Sequence, residues 1–315
     1  MTSTAPIIIL ESVSKSYGSR NAVDAVSFSV PKGSICGLIG HNGAGKTTLM
    51  KMLCGLIKPD FGSITLGGLD LTNHLHEARS MIGYVPQKTS LYPEMSGYEN
   101  LSFFGAIRGL SGKALQESIA FCVRVTRLEE YLHSPSSTYS GGLAKRLNLA
   151  IGLLGNPPIL YLDEPTVGVD PHSREMILNA LSSLRNEYAT TILYTSHYLE
   201  EVEKICDRIV IIDHGKVVGN DTSAHLLREC KAMEIIFESP PFSAGEVPLS
   251  VEGVEGIVFT PLKISVSQEA IYTALPRLLE ELSSRNARIE RIRYGSGSLE
   301  QFIHTMNIHK RASDV

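Results

Sequence analysis

The residues best able to do chemistry stand in a few short groups. Gly40-His41-Asn42-Gly43-Ala44-Gly45-Lys46-Thr47-Thr48 has the spacing of a phosphate-binding loop. Its glycines let the backbone bend around an anion without Cβ clashes. Bare N–H groups at the start of the helix that follows, with its dipole, hold phosphate oxygens. Lys46 can reach the outer phosphates, and the Thr47 hydroxyl suits Mg²⁺. Asp163 and Glu164 end the apolar run Ile159-Leu160-Tyr161-Leu162. Burying unpaired charge is costly, so adjacent carboxylates there call for a cation or a nucleophile nearby. Asp163 suits Mg²⁺, directly or through water. Glu164 suits orienting or deprotonating a water. Ser140-Gly141-Gly142 opens a helical pattern, with Ser140 a natural N-cap. Its two glycines leave the helix start bare, which makes it similar to a second anion site.

These groups need a scaffold that brings distant strand ends together. Ile35 to Ile39, Met81 to Val85, Ile159 to Leu162 and Thr190 to Thr195 read as short strands, and polar groups follow each one. Gln87 and His197 stand just past the second and fourth of these runs, where open α/β sheets present functional groups. Residues 7 to 30 alternate apolar and polar and predict antiparallel strands turning at Tyr17-Gly18-Ser19-Arg20. Tyr17 offers an aromatic face close to the phosphate loop. Gly62 to Gly68 predicts a hairpin strand and turn. Helical patterns are expected at 98–107, 112–128, 144–154 and 171–187, with a closing hairpin through His214-Gly215 and a helix at 223–231. After 231 the pattern changes to a small α+β domain, with strands at 233–238, 257–267 and 287–294 and helices at 271–282 and 298–306. That domain carries no chemical motif. His74 and His76 read as solvated surface.

Composition narrows the class. The chain has 315 residues, 43% hydrophobic and 20% charged, which is ordinary for a soluble globular protein with one large and one small domain. A net charge of −4 gives no global pull toward nucleic acid or an anionic membrane. Five scattered cysteines without a C-x-x-C pair predict reduced core thiols. No apolar run approaches the ~20 residues of a membrane span, and no signal peptide is expected at the N-terminus. Any membrane must therefore be met through a partner.

Taken in order, the groups resemble the nucleotide-binding subunit of ATP-binding cassette (ABC) transporters over residues 7 to about 228. Gly40 to Thr48 resembles that family's Walker A loop, Gln87 its Q-loop, Ser140-Gly141-Gly142 its signature and Ile159 to Glu164 its Walker B strand. Val167 to Asp170 resembles its D-loop, His197 its switch histidine and Tyr17 its adenine-stacking aromatic. The family signature usually reads Leu-Ser-Gly-Gly-Gln, whereas this chain has Tyr139 and Leu143 around an intact Ser-Gly-Gly. Leu91 to Leu101, Phe103-Phe104-Gly105 and the closing Ser298 to Phe302 are similar to the drug-resistance and type-2 exporter branch.

The resemblance implies an α/β P-loop ATPase. Its RecA-like core carries an antiparallel β subdomain and a helical subdomain at about 88–155. The cassette spans 1–230, followed by an accessory domain at 231–315. It implies ATP and Mg²⁺ as cofactors, with Tyr17, Gly40, Asn42, Gly43, Ala44, Gly45, Lys46, Thr47 and Thr48 binding nucleotide. Ser140, Gly141, Gly142 and Asp170 join them across a subunit boundary. Thr47, Gln87 and Asp163 surround the metal, and Glu164, His197, Gln87 and Lys46 act in hydrolysis. Implied partners are transmembrane permease subunits and a second cassette, identical or similar, in an ATP sandwich. The implied location is the cytoplasmic face of the cell membrane. The alternatives are a soluble ABC ATPase without a transport role and a non-catalytic ATP-binding regulatory module.

Overall fold

The computed structural model describes residues 5–229, 232–242, 257–260 and 262–294. Its two compact units divide at Thr222/Ser223. In chain order the first contains β1 (Pro6–Tyr17), β2 (Arg20–Pro31), β3 (Ile35–Ile39), α1 (Lys46–Leu53), β4 (Phe61–Leu66), β5 (Leu69–Asp70), α2 (Leu75–Ser80) and β6 (Ile82–Val85). Three helices follow, α3 (Gly97–Ile107), α4 (Gly112–Thr126) and α5 (Gly141–Leu153). Then come β7 (Ile159–Asp163), α6 (Pro171–Tyr188), β8 (Thr191–Thr195), α7 (Leu199–Ile205), β9 (Arg208–Asp213) and β10 (Lys216–Thr222).

Six strands form one sheet in the order β10-β9-β3-β8-β7-β6. All neighbours from β9 to β6 are parallel, and β10 turns back antiparallel on β9. The sequences of β3, β7 and β8 explain their central place. Every residue in them is buried, which suits strands covered on both faces. Because β3, β8, β7 and β6 are parallel, their C-terminal ends lie along one edge. The segments leaving that edge carry Gly40 to Lys46, Ser196-His197, Glu164 and Gln87 respectively. In a four-stranded antiparallel sheet, β2-β1-β4-β5, β2 alternates buried and more exposed residues over Val26 to Val30 as its sequence predicts, while β1 breaks the alternation at Ile7-Ile8 and Glu11-Ser12, where its register with β2 shifts. Its inner side chains Ile8, Leu10, Val26 and Val30 share one core with Leu49, Leu53 and Tyr161.

Helix α3 begins with a capping box, in which Ser96 accepts from the Glu99 N–H and Glu99 accepts from the Ser96 N–H. Asn100 is fully buried, and its Nδ2 donates to the carbonyls of Tyr92, Met95 and Ser96 at 3.0–3.2 Å. One side chain therefore pins the 91–101 segment. Beside it, Tyr92 stacks edge-on against Phe103 at 4.8 Å, and Phe103 against Phe104 at 5.4 Å. Cys36, Cys54, Cys122 and Cys206 are free and buried, as expected of core thiols. Burial pushes Cys36, Cys54 and Cys122 up to about 12. Among the described residues no helix is long and apolar enough to cross a membrane.

The second unit contains α8 (Ser223–Glu229), β11 (Ala232–Phe237), β12 (Ile257–Thr260), β13 (Lys263–Ser267), α9 (Gln268–Ser284) and β14 (Ile289–Tyr294). Its strands form an antiparallel sheet ordered β12-β13-β11-β14. The apolar face of α9 (Ala274, Leu278, Leu282) packs on Ile235, Phe237, Ile264 and Val266.

Three local differences from the sequence reading stand out. Helix α5 starts at Gly141 rather than Ala144, so the two glycines lie inside its first turn. Strand β10 runs to Thr222, four residues past Val218, because Asn220 and Thr222 pair with Val210 and Arg208 of β9. The helix at Ser223–Glu229 consequently follows it directly and falls in the second unit. The short helix expected at 298–306 and the closing Ser298 to Phe302 lie outside the described residues.

Candidate functional site

A cleft of about 880 Å³ opens at the C-terminal edge of the six-stranded sheet. Tyr17, Gly40, Asn42, Gly43, Gly45, Lys46, Thr47, Thr48, Gln87, Glu164 and His197 line it, together with His41 and Arg20. These residues span 180 positions of sequence and are gathered by strand order alone. Ala44 and Asp163 are buried and do not line it.

The loop is shaped by close approach. A Cβ on Gly40 would stand 2.2 Å from the Ile212 carbonyl, and one on Gly45 would stand 2.3 Å from that of Ala22. Gly45 also has φ of 109°, which side chains other than hydrogen rarely adopt. It is the N-cap of α1 and provides no side-chain cap, so the first-turn amides keep their capacity for an anion. The Lys46 ammonium donates to the carbonyls of Gly40 (2.6 Å) and His41 (3.1 Å). Burial pulls its pKa down, while the carboxylates of Glu164 and Asp163 oppose that shift. Thr47 is exposed and lines the cleft, as does Tyr17, 53% exposed.

Opposite the loop are the two carboxylates. Burial pushes the Asp163 pKa up, against a 2.9 Å hydrogen bond donated by Thr195 Oγ1 and the pull of Lys46 and Lys145. Glu164 lies one residue beyond β7 with φ of 46°. Such a left-handed non-glycine residue costs ~1–3 kcal/mol and persists only where its surroundings hold it. Its N–H is held by Thr195 Oγ1 (2.9 Å) and Thr195 O (3.2 Å). The Glu164 carboxylate accepts from Gln87 Nε2 at 2.7 Å and faces His197 Nδ1 at 3.4 Å. The oxygens of Thr47, Asp163 and Gln87 form a donor set that suits a hard divalent cation.

Ser140, Gly141, Gly142 and Asp170 do not line this cleft. Ser140 caps α5 by accepting from the Leu143 N–H at 3.2 Å. Asp170 caps α6 by accepting from the Ser173 N–H at 2.9 Å, and this bonding holds its carboxyl below the usual range. Gly142 packs so tightly on Ser173 that a Cβ would meet its Oγ at 2.1 Å. These two helix starts therefore form a separate surface from the phosphate loop.

Three side chains escape the sequence reading. Lys145 of α5 donates to the Gln87 carbonyl, and Asn148 donates to that of Pro86 at 3.0 Å. The helix behind the Ser-Gly-Gly turn thus holds the Gln87 segment directly. Burial lowers the Lys145 pKa, and Glu164 and Asp163 oppose it. Glu201 of α7, 3% exposed, accepts from Thr166 Oγ1 (2.8 Å), Ser196 Oγ (3.0 Å) and the Tyr194 hydroxyl. Its other oxygen stands 3.3 Å from Arg174 Nε, a charge contact without hydrogen-bond geometry. This carboxylate ties the residues after Glu164 to the residue before His197. An acid at the buried position of a short helix was the available signal.

The ABC transporter family model matches residues 23–167. The chain is 42% identical over 216 residues to the linearmycin resistance ATP-binding protein LnrL of Bacillus subtilis, covering 69% of each. It is 37% identical to the Nod factor export ATP-binding protein I of Ralstonia nicotianae, covering 76% of this chain and 75% of the relative. Among solved structures, a dimeric ATP-binding cassette in a post-hydrolysis state with ADP and phosphate matches with a TM-score of 0.62 and 25% identity. That match covers 69% of this chain and 98% of the cassette. The phosphate loop, the carboxylate pair and the Ser-Gly-Gly helix start therefore sit in a known frame: the chain belongs to the ABC transporter family, as an ATP-binding cassette ATPase.

Proposed function

We propose that this chain powers export through separate transmembrane permease subunits by hydrolysing ATP in a site that two cassettes complete. The observation that carries the hydrolytic part is Glu164, held by Gln87 and His197 across the cleft from Lys46. Phosphoryl transfer depends mainly on positioning and charge neutralisation, and these groups supply both. Tyr17 stacks on adenine. The loop amides and Lys46 hold the phosphates. Thr47, Asp163 and Gln87 hold Mg²⁺, which when bound neutralises charge on the phosphate oxygens. Glu164 orients the attacking water, and His197 contacts the γ-phosphate. Lys46 and Lys145 oppose the upward pull of burial on the Asp163 pKa.

The Ser140 to Gly142 helix start lies away from this cleft, which fits its serving the nucleotide of a partner cassette with Asp170 beside it. A similar solved cassette is a dimer. The exporter reading rests on the names of the relatives, one in linearmycin resistance and one in Nod factor export. Tyr92 and Phe103 are partly exposed beside the Asn100-pinned segment and suit contact with a permease. Such docking would hold the chain at the cytoplasmic face of the membrane. The cassette is assigned to 1–230 and an accessory domain, supporting dimerisation or regulation, to 231–315.

The test is Glu164→Gln. The variant should still bind ATP and dimerise, yet hydrolyse it ~10²–10⁴-fold more slowly in a phosphate-release assay. Turnover equal to that of the unmodified chain would remove Glu164 from this role.

A further inference from the structure

We propose that His41, Asp213 and His214 form a binding site for a divalent transition-metal cation of the zinc type, distinct from the Mg²⁺ position. His41 is the second residue of the phosphate loop, Asp213 ends β9, and His214 begins the turn to β10. His41 Nε2 stands 2.8 Å from Asp213 Oδ1, and His214 Nε2 stands 3.9 Å from the same oxygen. One ligand atom from each residue falls within a 4.8 Å span. Ligands about 2.0–2.2 Å from a tetrahedral zinc stand about 3.3 Å from one another, so small side-chain rotations complete the site.

Three further features favour a metal over a chance cluster. First, His41 Nδ1 lies 2.7 Å from the Asn42 carbonyl, which can only accept. Nδ1 therefore carries a proton, and Nε2 is the atom turned to Asp213. A ring whose second nitrogen donates to a carbonyl is the usual arrangement of a metal-binding histidine, fixing both tautomer and orientation. Second, the two segments are already aligned by backbone. The Gly215 N–H donates to the Ala44 carbonyl at 2.9 Å, and the Asp24 N–H to the Gly215 carbonyl at 2.8 Å. The ligands need no loop closure to meet. Third, His214 has φ of 46°, a left-handed turn position where its ring projects into solvent beside His41, with ring centroids 5.2 Å apart.

Two imidazoles and one carboxylate suit Zn²⁺ and its neighbours rather than Mg²⁺, which prefers oxygen and retains water. Three protein ligands leave a fourth position for water. Because the Lys46 ammonium is held by the His41 carbonyl, a cation here would clip the lysine-holding stretch of the loop to the β9–β10 turn.

The test titrates the full chain, stripped of metal and free of nucleotide, with Zn²⁺ by calorimetry and with Co²⁺ by visible absorption. The unmodified chain should take up one ion with a tetrahedral cobalt spectrum that lacks thiolate charge-transfer bands. Excess Mg²⁺ should not displace it. His214→Asn keeps a residue that tolerates the left-handed turn and removes one ligand. It should weaken Zn²⁺ binding at least ~10-fold, the lower bound of what disturbing a ligand's support costs. Asp213→Asn should do the same. Unchanged zinc affinity in His214→Asn, no binding to the unmodified chain, or a thiolate band would each overturn the site.

Discussion

Helices α1 and α5 both start in glycine-rich turns, yet the two starts are built differently. Gly45 caps α1 with backbone alone, at a φ that only glycine holds comfortably, and the bare amides face a deep cleft. Ser140 caps α5 with its own hydroxyl, and the Gly141 side of that helix start is open, the nearest atom to a Cβ there being 3.8 Å away. The first start is a finished anion cradle with a lysine, two carboxylates and a histidine around it. The second is a helix end with a satisfied amide, whose neighbouring carboxylate, Asp170, caps α6 and whose Lys145 is turned to the Gln87 carbonyl. A helix N-terminus becomes a reactive site only when other strand tips surround it. In this chain the parallel sheet provides those tips on one side only, which is why the proposed function gives the α5 start the nucleotide of a partner cassette.

The largest effect should come from closing the first cradle. Gly45→Ala adds a Cβ at 2.3 Å from the Ala22 carbonyl in a left-handed position. Strain of ~1–3 kcal/mol adds to that clash, so ATP binding measured by fluorescence titration should fall more than tenfold. Retained affinity would mean that the loop does not need this conformation.

A medium effect should separate the two glycines of the second start. Gly142→Ala drives a Cβ into both Oγ and Cβ of Ser173, at 2.1 and 2.4 Å, which no rotamer of Ser173 relieves. It should cost ~1–3 kcal/mol, as overpacking does, and lower the melting temperature by several degrees. Gly141→Ala places its Cβ no closer than 3.8 Å to another residue, the Gly168 carbonyl, and should leave melting unchanged while weakening ATP-dependent dimerisation, read by light scattering. Equal behaviour of the two would break the contrast between a packed face and an open one.

The smallest effect is on stability and its pH dependence. Burial raises the Asp163 pKa above the ordinary carboxylate value. Its favourable contribution is thus present below that ordinary value and lost as pH rises through the raised one. Asp163→Asn cannot ionise. Without nucleotide it should gain stability over the unmodified chain as pH rises through that window, while losing ATPase activity. Urea unfolding from acid to neutral pH checks the sign. A stability difference that does not vary with pH would show that burial of this charge is fully offset.

Much of this was legible in the chain itself. The largely apolar runs of β3, β7 and β8 announce buried strands, and the phosphate loop, Glu164 and Ser196-His197 follow them directly. Less legible were the short helices α2 and α7 and the two-residue β5, too brief to show a period. Glu201 and Lys145 were missed because their partners lie 5 to 58 positions away in sequence and touch only after packing. Even Glu164 was legible as an acid but not as a residue turned out of its strand with φ of 46°.

By itself the sequence determined a phosphate-loop pattern and a pair of carboxylates at the end of an apolar strand, because glycine spacing, a lysine and apolar strand runs encode those locally. Only the tertiary structure decided which groups share one cleft. Strand order brings Gln87, Glu164 and His197 to the phosphate loop, folds His41 against Asp213 and His214, and leaves Ser140-Gly141-Gly142 facing elsewhere. Pairing between strands far apart in the chain depends on the whole core, so no local pattern carries it.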